Sequence, residues 1–119
     1  MTEKKIIGDA GEEFATSILS DKGYIILYQN YTCRTGEIDI IAKDKDTFVF
    51  VEVKTRKTNN FGNPGEFVDY WKQKKIHSAA MHFLRSDMIS ARFDVFEIIY
   101  EIKNGDFSVI DYNHIENAF

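Results

Sequence analysis

Two segments of the chain place charged side chains inside runs of residues that are typical of buried strands. The first reads Gly-Glu-Ile-Asp-Ile-Ile over residues 36–41, and the second reads Phe-Val-Phe-Val-Glu-Val-Lys over residues 48–54. Val, Ile and Phe dominate both segments, as in strands that are covered on both faces. An acid in such a place costs several kcal/mol unless a cation or hydrogen-bond donors compensate it. The two segments therefore predict a divalent-metal site that handles phosphate.

The spacing of the charged residues brings them together. Side chains alternate along a strand, so Glu52 and Lys54 share one face. Residues 44–46 form a tight turn that makes the two strands an antiparallel hairpin, in which Asp39 approaches Glu52. Neighbouring carboxylates raise each other's pKa unless a cation lies between them, and Mg²⁺ or Mn²⁺ prefers such oxygen ligands. Lys54 can then orient a water molecule or neutralise charge that develops on a phosphate.

Each motif has a structural interpretation when it stands alone. A Glu-x-Lys sequence in a strand usually marks a half-exposed face with a weak cross-strand ion pair. A Gly-Glu-x-Asp sequence after a turn is also common, since Gly and acidic residues favour turns. The two motifs on adjacent apolar strands favour the functional interpretation.

The hydrophobic pattern predicts an α/β protein with the element order α-β-β-β-α-β-β, forming a mixed sheet flanked by helices. Helices are predicted over 9–22, with Gly23 as its end, and from about 66 to 85. Strands are predicted over 24–28, 37–43, 47–55, 92–102 and 107–112, with a turn-rich connection over 30–36, a polar loop over 57–65 and a type I′ turn at Asn104-Gly105. A helical crossover between the third and fourth strands would make that pair parallel.

Composition sets the broad class. The chain has 119 residues, and we expect one domain over residues 1–119. We expect a cytoplasmic protein without a membrane segment, because it has one cysteine, no signal peptide and no long apolar run. The net charge is −4, but residues 54–75 hold six bases and two acids. That segment predicts either a local basic face for a phosphate backbone or a solvated loop and helix.

Other chemistries are not supported. His77 and His82 are five residues apart on a predicted helix, so they face different ways and do not form a zinc site. Cys33 lacks the context of a catalytic thiol, and the chain has no Gly-rich phosphate loop. Arg92 and Asp94 are expected to pair with each other. The region of Phe67 and Trp71 is expected to be core rather than a platform for base stacking.

The acidic and basic residues resemble a known nuclease pattern. Asp39, Glu52 and Lys54 match the D…E-x-K core of the PD-(D/E)-x-K superfamily, which has the restriction-endonuclease-like fold and a core order of α-β-β-β-α-β. A closer resemblance, nearly end to end, is to the YraN-like family, a bacterial family proposed to consist of endonucleases. The matching pieces are Gly8, Gly11-Glu12, Ala15, Gly23-Tyr24, Asn30, Gly36-Glu37-Ile38-Asp39, Phe50-Val51-Glu52-Val53-Lys54, Arg56, Phe61-Gly62, Pro64, Lys72-Gln73, Arg92-Phe93-Asp94 and Asn117-Ala118-Phe119.

This resemblance implies roles for particular residues. Asp39 and Glu52 would ligate the metal, with the Val53 carbonyl completing the set, and Lys54 would position the attacking water. Glu12 would bind a second metal or orient water, although an acid near a helix N-terminus is also favoured by the helix dipole. Gln73 would lie near the site and contribute to catalysis.

The resemblance also implies a nucleic-acid surface. The residues expected to contact phosphates are Arg56, Lys57, Lys72 and Lys75. The implied activity is that of a Mg²⁺- or Mn²⁺-dependent endonuclease acting on DNA, in particular branched or structured DNA. A symmetric substrate of this kind would suit a homodimer. The alternatives are a non-catalytic nucleic-acid-binding module with the same fold, and a scaffold whose acids serve a protein interface.

Overall fold

The computed structural model of the protein describes residues 3–58, 68–86 and 88–119. The elements follow the predicted order α-β-β-β-α-β-β. The helices are α1 (Glu3–Asp21) and α2 (Tyr70–Leu84), and the strands are β1 (Ile25–Cys33), β2 (Gly36–Asp44), β3 (Thr47–Lys57), β4 (Ala91–Lys103) and β5 (Asp106–Ile115).

The five strands form one mixed sheet in the order β1-β2-β3-β4-β5. The pair β3–β4 is parallel, as expected from the helical crossover between those strands, and the other three pairs are antiparallel. The turn between β4 and β5 has φ of 53° at Asn104 and 82° at Gly105. Positive φ at both central positions is the geometry of a type I′ turn, so that prediction is confirmed.

Each helix covers one face of the sheet. The core beneath α1 consists of Ala15, Leu19, Tyr24, Ile40, Ala42, Val49, Val51, Phe96 and Ile98. The core beneath α2 consists of Ile38, Ile41, Phe50, Ile76, Ala79 and Ala80. Because β3 contributes to both cores, its central residues from Val49 to Glu52 are all buried. This explains the nearly continuous apolar run in the sequence.

Two predicted boundaries in the first part of the chain were wrong. Helix α1 begins at Glu3 rather than at residue 9. The prediction missed its first turns because they are exposed and carry no apolar periodicity. Strand β1 continues to Cys33, whereas residues 30–36 were predicted as a turn-rich connection. A β-bulge between Ile26 and Tyr28 and a positive φ of 54° at Asn30 let the strand pass through its polar residues.

The start of the second helix was also misplaced. Helix α2 begins at Tyr70 because the Asp69 carboxylate accepts a hydrogen bond from the Lys72 backbone N–H at 2.8 Å and caps the helix. The predicted apolar face is confirmed, with Ile76, Ala79 and Ala80 buried. The predicted polar loop and the first predicted helical positions fall largely on residues 59–67, which lie outside the described residues.

A buried ionic cluster joins the beginning of β4 to the C-terminal segment. The Asp94 carboxylate is fully buried and accepts hydrogen bonds from Arg92 Nε at 3.1 Å, His114 Nε2 at 2.8 Å and the Asn117 N–H at 2.9 Å. These partners and the charge of Arg92 outweigh burial and lower the pKa of Asp94. The predicted pairing of Arg92 with Asp94 is therefore confirmed, and its role is structural.

Neither of the two helices in the described part of the chain is long and apolar enough to cross a lipid bilayer.

Helix α1 lies unusually close to β3 at one position. A Cβ atom built on Gly11 would lie 2.3 Å from Thr55 Cγ2, a distance that real Cβ contacts do not reach. Only glycine lets the helix approach the strand this closely. The neighbouring residue, Glu12, is thereby brought over the sheet.

We predict that Gly11→Ala lowers the free energy of unfolding by about 1–3 kcal/mol, because the helix must move away from Thr55. Urea denaturation measures the change. The matched control is Gly8→Ala in the same helix, where an added Cβ meets no atom within 4 Å. That control should be neutral or slightly stabilising, since Ala is the better helix former. Equal stability of the two variants would show that the close approach is not required.

Candidate active site

The candidate site lies where β2 and β3 separate. Their pairing runs from Asp44↔Thr47 to Ile40↔Val51 and ends there. Beyond that point β2 continues beside β1, and β3 continues beside β4. The next residues in register are Asp39 and Glu52, so these two side chains lie at the opening between the strands. The predicted approach of Asp39 to Glu52 is confirmed.

The Asp39 side chain replaces a backbone carbonyl as the hydrogen-bond partner of Val53. Its Oδ2 accepts a hydrogen bond from the Val53 N–H at 2.8 Å. If β2 and β3 had stayed paired, a backbone carbonyl of β2 would have accepted that bond. Burial and the charges of Glu52 and Glu12 raise the pKa of Asp39 to about 7, despite the Val53 hydrogen bond. This carboxyl group is therefore short of positive partners.

Glu52 is paired with a lysine from α2. Its side chain is only 6% exposed, and its Oε1 lies 2.5 Å from Lys72 Nζ. Burial lowers the pKa of Lys72, but the hydrogen bond and the charge of Glu52 outweigh it and raise that pKa. The ammonium group thus stands beside the carboxylate at a position where a metal ion would also be attracted.

Lys54 is part of the same cluster. Burial and the nearby charge of Lys72 lower the pKa of Lys54, and the charges of Glu52 and Asp39 only partly oppose this. A lysine with a lowered pKa gives up its proton more readily than an exposed one. The structure therefore brings together the predicted trio of Asp39, Glu52 and Lys54.

Glu12 reaches the site from α1. Burial raises the pKa of Glu12, while hydrogen bonding with the Asn30 side chain acts in the opposite direction. The charge of Glu12 in turn raises the pKa of Asp39. Asp39 on β2 is thus influenced by the charges of Glu52 on β3 and Glu12 on α1.

The donor set suits a cation that retains several water ligands. Within residues 3–58, 68–86 and 88–119, no three Asp, Glu, His or Cys side chains are close enough to cage a metal ion by themselves. Mg²⁺ usually takes only one or two protein carboxylates and completes its shell with water and substrate phosphate. Asp39 and Glu52 fit that requirement, because burial and the charge of Glu52 raise the pKa of Asp39 and a cation between the two carboxylates would offset both effects.

The remaining predicted site residues are dispersed. Gln73 Nε2 donates to the Val68 carbonyl at 3.0 Å, where it supports the start of α2. Arg56 Nε lies 3.4 Å from Glu97 Oε2 in a largely buried ion pair. Lys57 and Lys75 are exposed. Lys72 was predicted to contact nucleic acid, but the structure places its amine against Glu52.

Two residues of the site were not anticipated in their observed roles. The contact of Lys72 with Glu52 was open to prediction, because Lys72 lies one turn before Ile76 on the buried face of α2. The contact of Asn30 with Glu12 was not, because residues 30–36 were predicted as a turn rather than a strand. Asn tolerates the positive φ that this part of β1 requires.

The raised pKa of Asp39 predicts how stability depends on pH in the absence of metal. The pKa of Asp39 is about 7 in the folded protein, whereas the ordinary pKa of the side chain is 3.8. Between these values the folded state binds more protons than the unfolded state, so the contribution of Asp39 to stability falls as pH rises. Asp39→Asn keeps an acceptor for the Val53 N–H and removes this decline.

Asp39→Asn should therefore match wild type near pH 4 and exceed it at pH 8 in EDTA, by on the order of 1 kcal/mol. Chemical denaturation of both proteins across this range gives the difference. Asp46→Asn, at an exposed turn position, is the control and should leave the pH profile unchanged. A destabilised Asp39→Asn protein at pH 8 would contradict the assigned charge deficit.

Comparisons with known proteins place the chain in a family. Residues 11–98 match the model of a family described as "Uncharacterised protein family UPF0102". A UPF0102 protein of Caldicellulosiruptor saccharolyticus is 43% identical over 119 residues, which cover 98% of each chain. Another, from Clostridium tetani, is 46% identical over 108 residues and 88% of each chain. The chain belongs to the UPF0102 family, the YraN-like family that its sequence resembles.

Proposed function

We propose that the protein is a divalent-metal-dependent endonuclease that hydrolyses phosphodiester bonds of DNA. The observation that carries the proposal is the placement of Asp39 and Glu52 at the opening between β2 and β3, with Lys54 and Lys72 against them. Glu52 is buried and Asp39 is half-buried, so holding the two acids together is costly unless a cation compensates them.

Asp39 and Glu52 would hold the metal ion, which is Mg²⁺ or Mn²⁺ by the hardness of these ligands. The N–H and C=O of one strand residue point to the same side, so the Val53 carbonyl faces the same opening as the N–H that Asp39 accepts. When bound, the ion would polarise the phosphodiester and lower the pKa of a water molecule.

The lysines would act on the phosphate and on the proton of the nucleophile. Lys54, with its lowered pKa, would orient the attacking water and accept or donate a proton at Nζ. Lys72 would leave Glu52 and offset the negative charge that develops on the phosphate. Glu12, with its raised pKa, would hold a proton or orient water on the α1 side of the opening.

DNA is the proposed partner because exposed cations lie close to the site on α2. Lys75 is exposed and follows Lys72 by one turn of that helix, whereas Lys57 lies on the opposite face of β3 from Lys54. A cation in the position of Lys75 fits a phosphate next to a scissile bond. We further propose that branched or structured DNA is the substrate, for which two copies of the chain would supply two cuts.

One observation favours a second candidate function. Lys72 Nζ lies 2.5 Å from Glu52 Oε1 and so gives that carboxylate a positive partner from the protein itself. The fold would then be a non-catalytic nucleic-acid-binding module in which the lysine replaces the ion. This alternative predicts salt-sensitive binding of DNA but no cleavage that depends on metal.

We predict that the wild-type protein cleaves DNA in Mg²⁺ or Mn²⁺, and that Asp39→Asn, Glu52→Gln and Lys54→Met each reduce the rate about 100-fold or more. A panel of linear, flapped and four-way DNA substrates, scored on denaturing gels, gives both the activity and the preferred form. Matched controls are Asp46→Asn and Glu13→Gln, which alter exposed acids away from the opening and should retain activity. Equal cleavage by all variants would indicate a contaminating nuclease and would contradict the proposal.

Thermal stability tests the metal site without relying on activity. Lys72→Met leaves the Glu52 carboxylate without its ion pair and should cost about 1–2 kcal/mol in EDTA, a reduced value because the Lys72 side chain is 43% exposed. Mg²⁺ at a hundredfold excess over its Kd should restore about 2.7 kcal/mol, because it binds only the folded state.

The same Mg²⁺ titration of Asp39→Asn should give no rise in Tm, because one of the two proposed ligands has lost its charge. If Lys72→Met is destabilised and Mg²⁺ fails to raise its Tm, the lysine is a permanent partner of Glu52. That result would favour the non-catalytic binding module.

A further inference from the structure

A groove of about 630 Å³ shares Lys72 with the candidate site. One wall is the turn between β1 and β2, and the other is the beginning of α2. Lys72 lines the groove while its amine contacts Glu52, so this side chain connects the groove to the proposed site. The walls meet at Gly36, where an added Cβ would lie 2.9 Å from the Lys75 carbonyl oxygen.

An exposed indole lies in this groove. Trp71 lines it and is 70% exposed, which contradicts the expectation that Trp71 belongs to the core. The ammonium group of Lys74 lies 5.9 Å from the Trp71 ring centroid and 5.1 Å from that of Tyr70. A cation over one aromatic surface leaves the remainder of the indole free to stack against another flat ring. Tyr70, which is 60% exposed, lies beside Trp71 with 5.4 Å between the ring centroids, so two exposed rings stand together at the start of α2.

Positive charge lies on both walls of the groove. Arg34 projects from the hairpin turn, and Lys75 lies on the helix across from it. Two acids also line the groove, Glu37 and Asp69. The Asp69 carboxylate is occupied as the cap of α2, through its hydrogen bond to the Lys72 N–H. An aromatic surface between cations is the arrangement that binds the bases and phosphates of a single nucleic-acid strand.

We infer that the groove binds an unpaired stretch of a DNA strand next to the scissile phosphate. One base stacks on Trp71, and Arg34 and Lys75 contact the flanking phosphates. This inference rests on the proposed nuclease function and narrows its substrate to DNA that carries a single-stranded segment. In a continuous duplex each base is already stacked on both sides, so Trp71 could take one only after it is unstacked.

The fluorescence of Trp71 provides a direct test, because the chain contains one tryptophan. A short oligothymidylate, titrated into the wild-type protein in EDTA, should quench this emission. A fully paired, closed-end DNA hairpin should bind without comparable quenching. Arg34→Ala and Lys75→Ala should each reduce the dependence of log K on log salt by about one.

Matched variants separate stacking from general attraction. Trp71→Ala should weaken oligothymidylate binding about tenfold or more, as measured by anisotropy of a labelled strand. Trp71→Phe should recover most of the loss, because it restores an aromatic face. Met81→Ala removes another exposed apolar side chain of α2 and should change nothing.

Cys33 offers an independent readout, since it lines the groove and is the one cysteine in the chain. Its hydrogen bond with Thr35 lowers the pKa of the thiol, which favours alkylation near neutral pH. Oligothymidylate should slow the alkylation of Cys33 by iodoacetamide, and the closed hairpin should not.

Several outcomes would overturn the inference. They are unchanged Trp71 emission when oligothymidylate is bound, equal quenching by the closed hairpin, and tighter binding of oligouridylate than of oligothymidylate. Emission that changes with protein concentration in the absence of DNA would assign the face to contact with a second copy instead.

These results are independent of cleavage. Quenching in EDTA without any cleavage in Mg²⁺ would support the groove and refute the nuclease. Cleavage of DNA with an unresponsive Trp71 would refute the groove assignment alone.

Discussion

The repulsion between Asp39 and Glu52 is the constraint on which the rest of the site depends. The two carboxylates cannot move apart, because β2 and β3 are paired as far as Ile40 and Val51, the residues next to Asp39 and Glu52. Val49, Phe50 and Val51 are fully buried and hold that register against both helices. The hydrophobic core therefore sustains a local electrostatic cost, and a cation at the opening would relieve it.

Both helices are positioned in ways that serve this opening. Gly11 lets α1, which carries Glu12, pack directly against Thr55 of β3. Gly36 lets the β1–β2 hairpin contact α2 at Lys75, and the same helix places Lys72 against Glu52. The absence of a side chain at these two positions thus permits close packing of the helices that carry Glu12 and Lys72, which sequence motifs alone do not express.

Contacts between segments that are adjacent in the sequence could be predicted from it. Contacts between segments that are distant in the sequence could not. The turn at residues 44–46 and the alternation of side chains were enough to bring Asp39 and Glu52 together. The contact of Lys72 with Glu52 and the exposure of Trp71 depend instead on how α2 lies on the sheet. The polar residues of β1 were predicted as a turn, because polar side chains favour turns. In the structure a bulge and a residue with positive φ accommodate them within the strand.

Two aspartates of the same sheet, Asp94 and Asp39, differ in how the fold compensates their charge. Asp94 receives hydrogen bonds from Arg92, His114 and a backbone N–H, and its pKa is lowered even though it is fully buried. Asp39 receives one backbone N–H and faces two other acids, and its pKa is raised. The fold can neutralise a buried carboxylate with its own groups, as it does at Asp94. At Asp39 it supplies fewer such groups, so a proton, or the metal ion proposed above, would balance the charge.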